Sequence, residues 1–377
     1  MAFDLNGGTA PAGFINPAKV DPGKAVTQPT GITKILTLNA SDPSSYLTVD
    51  EAIASDTSIQ KGLYRLGGAM SIEGWYKDGV KWNFDTTLAE GTPAFTLTAK
   101  WTGGMAREAS VTKLQDAIDR QISGMDAVTG LVNTDANRRN NVNFLYVMDG
   151  SEEVNGSAEN TLPNILGRLM IVGRSPSEIT NSDKKRCVFS LTSSTWGSDG
   201  MGGFTFSFPE ALLVIGKNVI IKGRADSERA AVTIMSAPSN AGRRGATFIM
   251  LEGSKIIDNK NVSTELDTTS GSTSNPRYPG GAINIGAGGG TFIMEGGEIS
   301  GNSMGTGAND TWHWSAGGIN SSRGAKIILK GGKIENNTGP CFDIYVDSRS
   351  YVEAGADAAR STTQFIWRET RLLRPLF

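Results

Sequence analysis

Three stretches of the chain carry one pattern of apolar and polar positions. Phe292-Ile293-Met294-Glu295-Gly296-Gly297-Glu298-Ile299-Ser300-Gly301-Asn302 fits F-x-M-x-G-G-x-I-x-x-N. Ile327-Ile328-Leu329-Lys330-Gly331-Gly332-Lys333-Ile334-Glu335-Asn336-Asn337 fits it with aliphatic residues at the first and third positions. Phe248-Ile249-Met250, followed by Ile256 and Asn259, fits again with one extra residue before the isoleucine. Gly280-Gly281-Ala282-Ile283 and Ala316-Gly317-Gly318-Ile319 precede the last two copies, so a unit of about 21 to 23 residues runs from Gly280 to Asn302 and from Gly317 to Asn337. Each unit predicts three short strands separated by tight turns. Side chains alternate along a strand, which puts Phe292 and Met294 on one face and Ile293 and Glu295 on the other. One unit cannot bury its apolar face alone, and stacking supplies a continuous core. The pattern predicts Phe248, Phe292 and Ile327 on one internal line and Met250, Met294 and Leu329 on a second, with Ile299 and Ile334 at the template's isoleucine position. Asn259, Asn302 and Asn337 recur at one turn, where stacked amides hydrogen-bond from unit to unit and to the bent backbone. That structural ladder is favoured over a ligand-binding role.

Upstream, Leu212–Gly223, Leu169–Gly173 and Val142–Val147 read as less regular members of the same series. Just before them Val111, Leu114, Ala117, Ile118 and Ile122 share a helical face. A helix over 107–124 is expected there, covering the open end of the first unit, where a bare strand edge invites aggregation. The first hundred residues differ: short alternating stretches are broken by Asn6-Gly7 and Asp78-Gly79, predicting a small antiparallel sheet. Trp75, Trp82, Trp101 and Phe84 are candidates for its core, and a short helix is expected over 47–54.

The blocks Gly74-Trp75-Tyr76 and Ala99-Lys100-Trp101, with Phe3-Asp4-Leu5-Asn6-Gly7-Gly8, resemble the B-repeat of internalin-type surface proteins (the Listeria–Bacteroides repeat). That resemblance implies a β-grasp-like extracellular module over 1–102, departing from the family in an insertion at about 30–71. The order helix, extended strand and glycine-punctuated units resembles the pectin-lyase-like right-handed β-helix over roughly 110–355. The F-x-M-x-G-G-x-I-x-x-N units themselves, over 245–340, resemble repetitive bacterial surface proteins. The expected organisation is all-β: a β-grasp-like module (1–102), a linker and capping helix (103–141), a right-handed parallel β-helix or solenoid (142–355) and an irregular tail (356–377).

Composition narrows the function. Of 47 glycines, 17 fall between Gly280 and Gly339, so the excess belongs to the repeats. Lys plus Arg (36) nearly balances Asp plus Glu (38), which removes the electrostatic case for nucleic acid; Arg360, Arg368, Arg371 and Arg374 read as a solvated terminus. No apolar run is long enough to span a bilayer as a helix. Met1 is followed by no basic start or apolar stretch of a signal peptide. Because the resemblances point outside the cell, Met1 reads as an artificial or truncated start. Cys187 and Cys341 offer no metal or redox spacing and read as buried thiols, with a disulfide as the extracellular alternative.

Many β-helices degrade polysaccharides, so catalysis has to be weighed. Lyases of that fold need carboxylates for Ca²⁺ beside an Arg or Lys base. Its hydrolases use close aspartates with a Gly-His-Gly stretch. This chain has one histidine, His313, no Asp-Asp pair and no calcium-binding nonapeptide. Glu295, Glu298 and Glu335 fall where lysines of neighbouring units (Lys330, Lys333) pair with them. No catalytic residue, metal or cofactor is expected. Asn309-Asp310-Thr311-Trp312-His313-Trp314-Ser315 lies in an excursion between units, and Trp312 and Trp314 face the same way if extended. They offer a flat surface to a sugar or a partner, or fold over the side as a satellite core, the plainer reading. The chain reads as a non-catalytic cell-surface adhesin or display module, with host or cell-surface glycans or proteins as partners. A polysaccharide-active enzyme and a structural spacer are the alternatives.

Overall fold

The computed structural model describes residues 1–38, 46, 49, 53, 58–122, 143–157, 164–165, 167–192, 211–235, 246–265, 279–286, 290–305, 315–347, 350–355 and 365–367. The chain divides into two compact units, one of Met1–Ser58 with Arg65–Ala106, the other of Ile59–Tyr64 with Arg107–Phe377.

In the first unit the strand order is β1 (Ala2–Asp4), β4 (Thr96–Glu108), β2 (Gly62–Lys77), with β3 (Val80–Lys81) on β2. β2 and β3 form an antiparallel hairpin through Asp78 and Gly79, whose φ angles of 48° and 80° are those a two-residue turn between twisted strands requires. The sheet is not wholly antiparallel as the turn signals suggested. β1 runs parallel to β4, with Phe3 opposite Leu97, because a long stretch of chain and no tight turn joins them. Trp75 is buried with its ring edge-on to Phe3 at 5.0 Å, and buried Trp101 donates its Nε1–H to the Leu5 carbonyl at 3.0 Å.

β2 also reaches back to Gly62, into residues expected to be insertion. Leu63, Leu66 and Met70 are buried along it. Gly67-Gly68 interrupts the alternation when read as sequence. In the sheet Gly68 lies against Gly104, where a Cβ would fall 3.2 Å from the Gly104 Cα. Within the remaining insertion Tyr46, Val49 and Ile53 are helical and buried.

The second unit is built on three parallel sheets. The first takes, in order, β5 (Asn143–Met148), β7 (Arg168–Gly173), β10 (Leu212–Ile215), β13 (Thr247–Met250), β17 (Thr291–Met294), β21 (Lys326–Leu329) and β24 (Tyr351–Ala354). The second takes β6 (Glu152–Val154), β8 (Ser177–Asn181), β11 (Val219–Lys222), β14 (Lys255–Ile257), β18 (Glu298–Ser300) and β22 (Lys333–Glu335). The third takes β9 (Phe189–Thr192), β12 (Val232–Met235), β16 (Ile283–Ile285), β20 (Ile319–Ser321), β23 (Ile344–Val346) and β25 (Phe365–Trp367). A small pair, β15 (Lys260–Asn261) with β19 (Ser303–Met304), adds a corner. From β7 through β23 the chain visits the three sheets in the same order again and again. One pass leads from Phe292 to Ile327, longer than the Gly280–Asn302 pattern.

The helix α1 (Leu114–Ile122) starts later than expected, since β4 continues through Glu108. Leu114, Ala117 and Ile118 are fully buried in one core with Phe144 and Val154, and α1 packs on β5 and β6.

Stacking is in register. Leu213, Phe248, Phe292 and Ile327 are successive partners, as are Ile215, Met250, Met294 and Leu329. Ile221, Ile256, Ile299 and Ile334 do the same in the second sheet. All of them belong to one buried cluster, in which the rings of Phe248 and Phe292 are 5.6 Å apart. The opposite face of the first sheet is buried too, along Leu145, Met170, Val214, Ile249, Ile293 and Ile328. That is why these strands read as unbroken apolar runs, whereas the second sheet alternates. The Gly-Gly pairs permit close approach between passes: a Cβ on Gly317 would fall 2.3 Å from the Thr338 carbonyl oxygen.

Phe292 is fully buried between Phe248 and Ile327. Phe292→Ala is expected to cost about 3 to 5 kcal/mol of unfolding free energy, the usual range for emptying an aromatic core site. Denaturant unfolding measures it, and an equally stable variant would contradict this register.

Candidate functional site

The repeat asparagines form a continuous ladder. The Asn302 side-chain oxygen accepts the Asn259 backbone N–H at 3.0 Å, and the Asn337 oxygen accepts both the backbone N–H and the side-chain amide of Asn302, at 3.1 and 2.9 Å. Asp343 takes the corresponding place beyond Asn337, accepting its side-chain amide at 2.8 Å. The amides also donate to backbone carbonyls, Asn259 to Gly281 and Asn302 to Ile256. All three asparagines are buried. The residue before each one is left-handed: Asp258 at φ 61°, Gly301 at 68°, Asn336 at 58°. Asp, Gly and Asn tolerate that region best, so the x before the template asparagine carried a signal that the motif did not use. A second rung escaped the motif altogether: Asn320 donates to Asn284 at 3.2 Å across the third sheet.

On the second sheet charges pair from pass to pass. Lys222 meets Glu178 at 2.9 Å and Lys255 meets Glu298 at 2.7 Å; at the neighbouring bend Lys330 meets Glu295 at 2.8 Å. Glu298 lies between Lys255 and Lys333 in register. The hydrogen bonds from Lys255 and from the Ser300 hydroxyl hold its carboxyl below the ordinary value.

At the start of the second unit Glu152 organises the helix entrance. One carboxylate oxygen accepts the Leu114 N–H at 2.7 Å, while the other meets the Lys61 ammonium at 2.8 Å and the Tyr146 hydroxyl at 2.8 Å. Burial and that carboxylate push the Tyr146 phenol up. A carboxylate at a helix N-terminus satisfies an orphan donor and the helix dipole together. Cys187 and Cys341 are both free and buried. Burial pushes the Cys187 thiol up to about 11, so it is unreactive at neutral pH.

The first unit carries an open cleft of about 900 Å³, bordered by Asn6, Tyr76, Lys77, Phe95, Thr98 and Lys100 among others. Trp75 and Tyr76 diverge because side chains alternate along β2: Trp75 enters the core, and half-buried Tyr76 faces the cleft. The Tyr76 hydroxyl donates to Glu73 at 2.7 Å, and that bond pushes its phenol up.

Phe248, Met250, Phe292, Met294, Ile299, Ile327, Leu329 and Ile334 all lie in the core, and Asn259, Asn302 and Asn337 in the ladder. Trp312 and Trp314 lie outside the described residues. Among the described residues no three His, Cys, Asp or Glu side chains gather as a metal site, and no helix is long and apolar enough to cross a membrane. No protein-family model, curated protein or solved structure matches the chain significantly.

Asn302→Ala leaves the Asn259 N–H and the Ile256 carbonyl without these side-chain partners. It should destabilise the protein by roughly 2 to 6 kcal/mol, since each of the two buried groups stranded this way costs about 1 to 3, as read by denaturant unfolding. Glu298 generates a pH prediction. Its folded form binds a proton at lower pH than its unfolded form, so the stability it adds is present above the ordinary pKa of 4.5. That stability is lost as the pH falls through the lowered folded value. Glu298→Gln should therefore flatten the acid limb of a stability–pH curve, and an unchanged limb would count against the Lys255 pairing.

Proposed function

We propose that the chain is a non-catalytic recognition or display module of a bacterial cell-surface protein, a β-grasp-like module followed by a right-handed parallel β-helix. The fold part of this reading is supported by parallel strands from three sheets visited in constant order. The observation that carries the functional part is where the repeats spend their polar side chains. Asn259, Asn302 and Asn337 are committed to neighbouring passes, and Glu178, Glu295 and Glu298 to lysines of neighbouring passes. Pairing with lysines of neighbouring passes explains these carboxylates without a catalytic role. An extracellular setting is supported by the resemblance of the N-terminal blocks to internalin-type repeats. The same ladders suit a spacer, and ligand binding separates the two readings.

The decisive experiment measures turnover and binding together. The intact protein should release no unsaturated products from polygalacturonate, with or without Ca²⁺, yet retain ligands in a screen of glycans and host-surface proteins. Calcium-dependent unsaturated products would overturn the recognition reading in favour of a lyase. An empty screen would leave the spacer. Trp312→Ala/Trp314→Ala tests whether the excursion between repeats contributes to whatever is retained.

A further inference from the structure

We propose that the open cleft of the N-terminal unit binds a carboxylated polysaccharide, with Lys77 and Lys100 contacting its carboxylates and Tyr76 and Phe95 flanking its sugar rings. The proposal rests on the recognition reading above and assigns it a ligand class and a place.

The cleft follows from strand alternation. Along β4, Leu97, Ala99 and Trp101 are buried, so Thr96, Thr98 and Lys100 fall on the opposite side and line the cleft. Tyr76 joins them from β2. Lys77, at the end of β2, and Phe95, just before β4, border the cleft from beside that face, so its lining combines two rings, two ammoniums and two hydroxyls.

The ammoniums are the informative part. Lys61, Lys184, Lys222, Lys255 and Lys330 each meet a carboxylate within 3 Å. Lys77 and Lys100 do not: among the described residues their partners are aromatic. The Lys77 ammonium stands 4.8 Å from the centroid of Phe95, and the Lys100 ammonium 5.2 Å from that of Tyr76. A ring holds a cation in place without neutralising it. Glu73, on the same strand as Tyr76, has its carboxylate engaged by the Tyr76 hydroxyl. Among the residues that border the cleft, the two ammoniums of Lys77 and Lys100 stand against the one carboxylate of Asp78, an excess that an anion complements, with the Glu73 carboxylate at the edge beside the Tyr76 hydroxyl.

The shape and the remaining groups favour a polysaccharide over an acidic peptide. Thr96 and Thr98 supply hydroxyls that both donate and accept, as sugar hydroxyls require, and aromatic rings present flat apolar surfaces to pyranose faces. Half of the residues lining the cleft are exposed and only Ala99 is buried, so it offers no deep socket for an anchoring side chain.

The test is calorimetric titration of the intact chain with polygalacturonate, with its methyl ester and with polyglutamate. Polygalacturonate should bind, and raising the salt should weaken it. The ester, which keeps the sugar but removes the charge, should bind at least tenfold more weakly. Lys77→Gln/Lys100→Gln should weaken polygalacturonate at least tenfold, with thermal unfolding confirming that the variant is folded. Trp312→Ala/Trp314→Ala should leave this binding unchanged. Equal binding by the lysine variant, equal binding of the ester, or no binding by the intact chain would overturn the cleft assignment. Polyglutamate binding as tightly as polygalacturonate would overturn the saccharide class. Retention of other glycans by the intact chain, with any of these failures, would leave the recognition reading standing; retention of nothing would remove both.

Discussion

Everything in the second unit depends on one requirement: each parallel strand has its backbone hydrogen bonds completed by the strand one pass away. Register then becomes compulsory, since a slip of one residue would turn Phe248, Phe292 and Ile327 away from the core together. Identical or similar side chains stack as a consequence, and that stacking makes polar residues usable inside. A buried asparagine alone is costly. In a column each one finds the next, and Asp343 supplies the corresponding acceptor beyond Asn337. The charged residues outside obey the same geometry, with Lys255, Glu298 and Lys333 alternating in sign at one register position.

The two units divide their polar chemistry differently. In the second unit Lys222, Lys255 and Lys330 meet carboxylates of neighbouring passes, while Lys326 stands over the Tyr351 ring. In the first unit the lysines of the cleft lean on aromatic rings, and their charge stays available.

Much of the repeat was legible because its residues are distinctive. Phe292-Ile293-Met294, the Gly-Gly pair and Asn302 recur with nearly constant spacing, and a constant spacing has a direct geometric meaning in parallel strands. The bend before each asparagine was legible in principle, since Asp258, Gly301 and Asn336 share tolerance of positive φ while sharing no side chain. Residues 62–71, assigned to the insertion, form part of strand β2, where Gly68 lies against Gly104. The helix end was misplaced for a related reason: β4 runs on through Glu108, in residues whose apolar spacing does not distinguish strand from helix.

The sequence by itself determined the all-β character, the stacked columns and the asparagine ladder, since these need only periodicity and the alternation of side chains. Only the tertiary structure decided that β1 runs parallel to β4, that Glu152 closes the first turn of α1 from 38 positions away, and that Tyr76 and Phe95 meet Lys100 and Lys77 at one cleft. Those contacts join residues distant in the chain and unlike in type. No period relates them, so nothing short of the folded backbone brings them together.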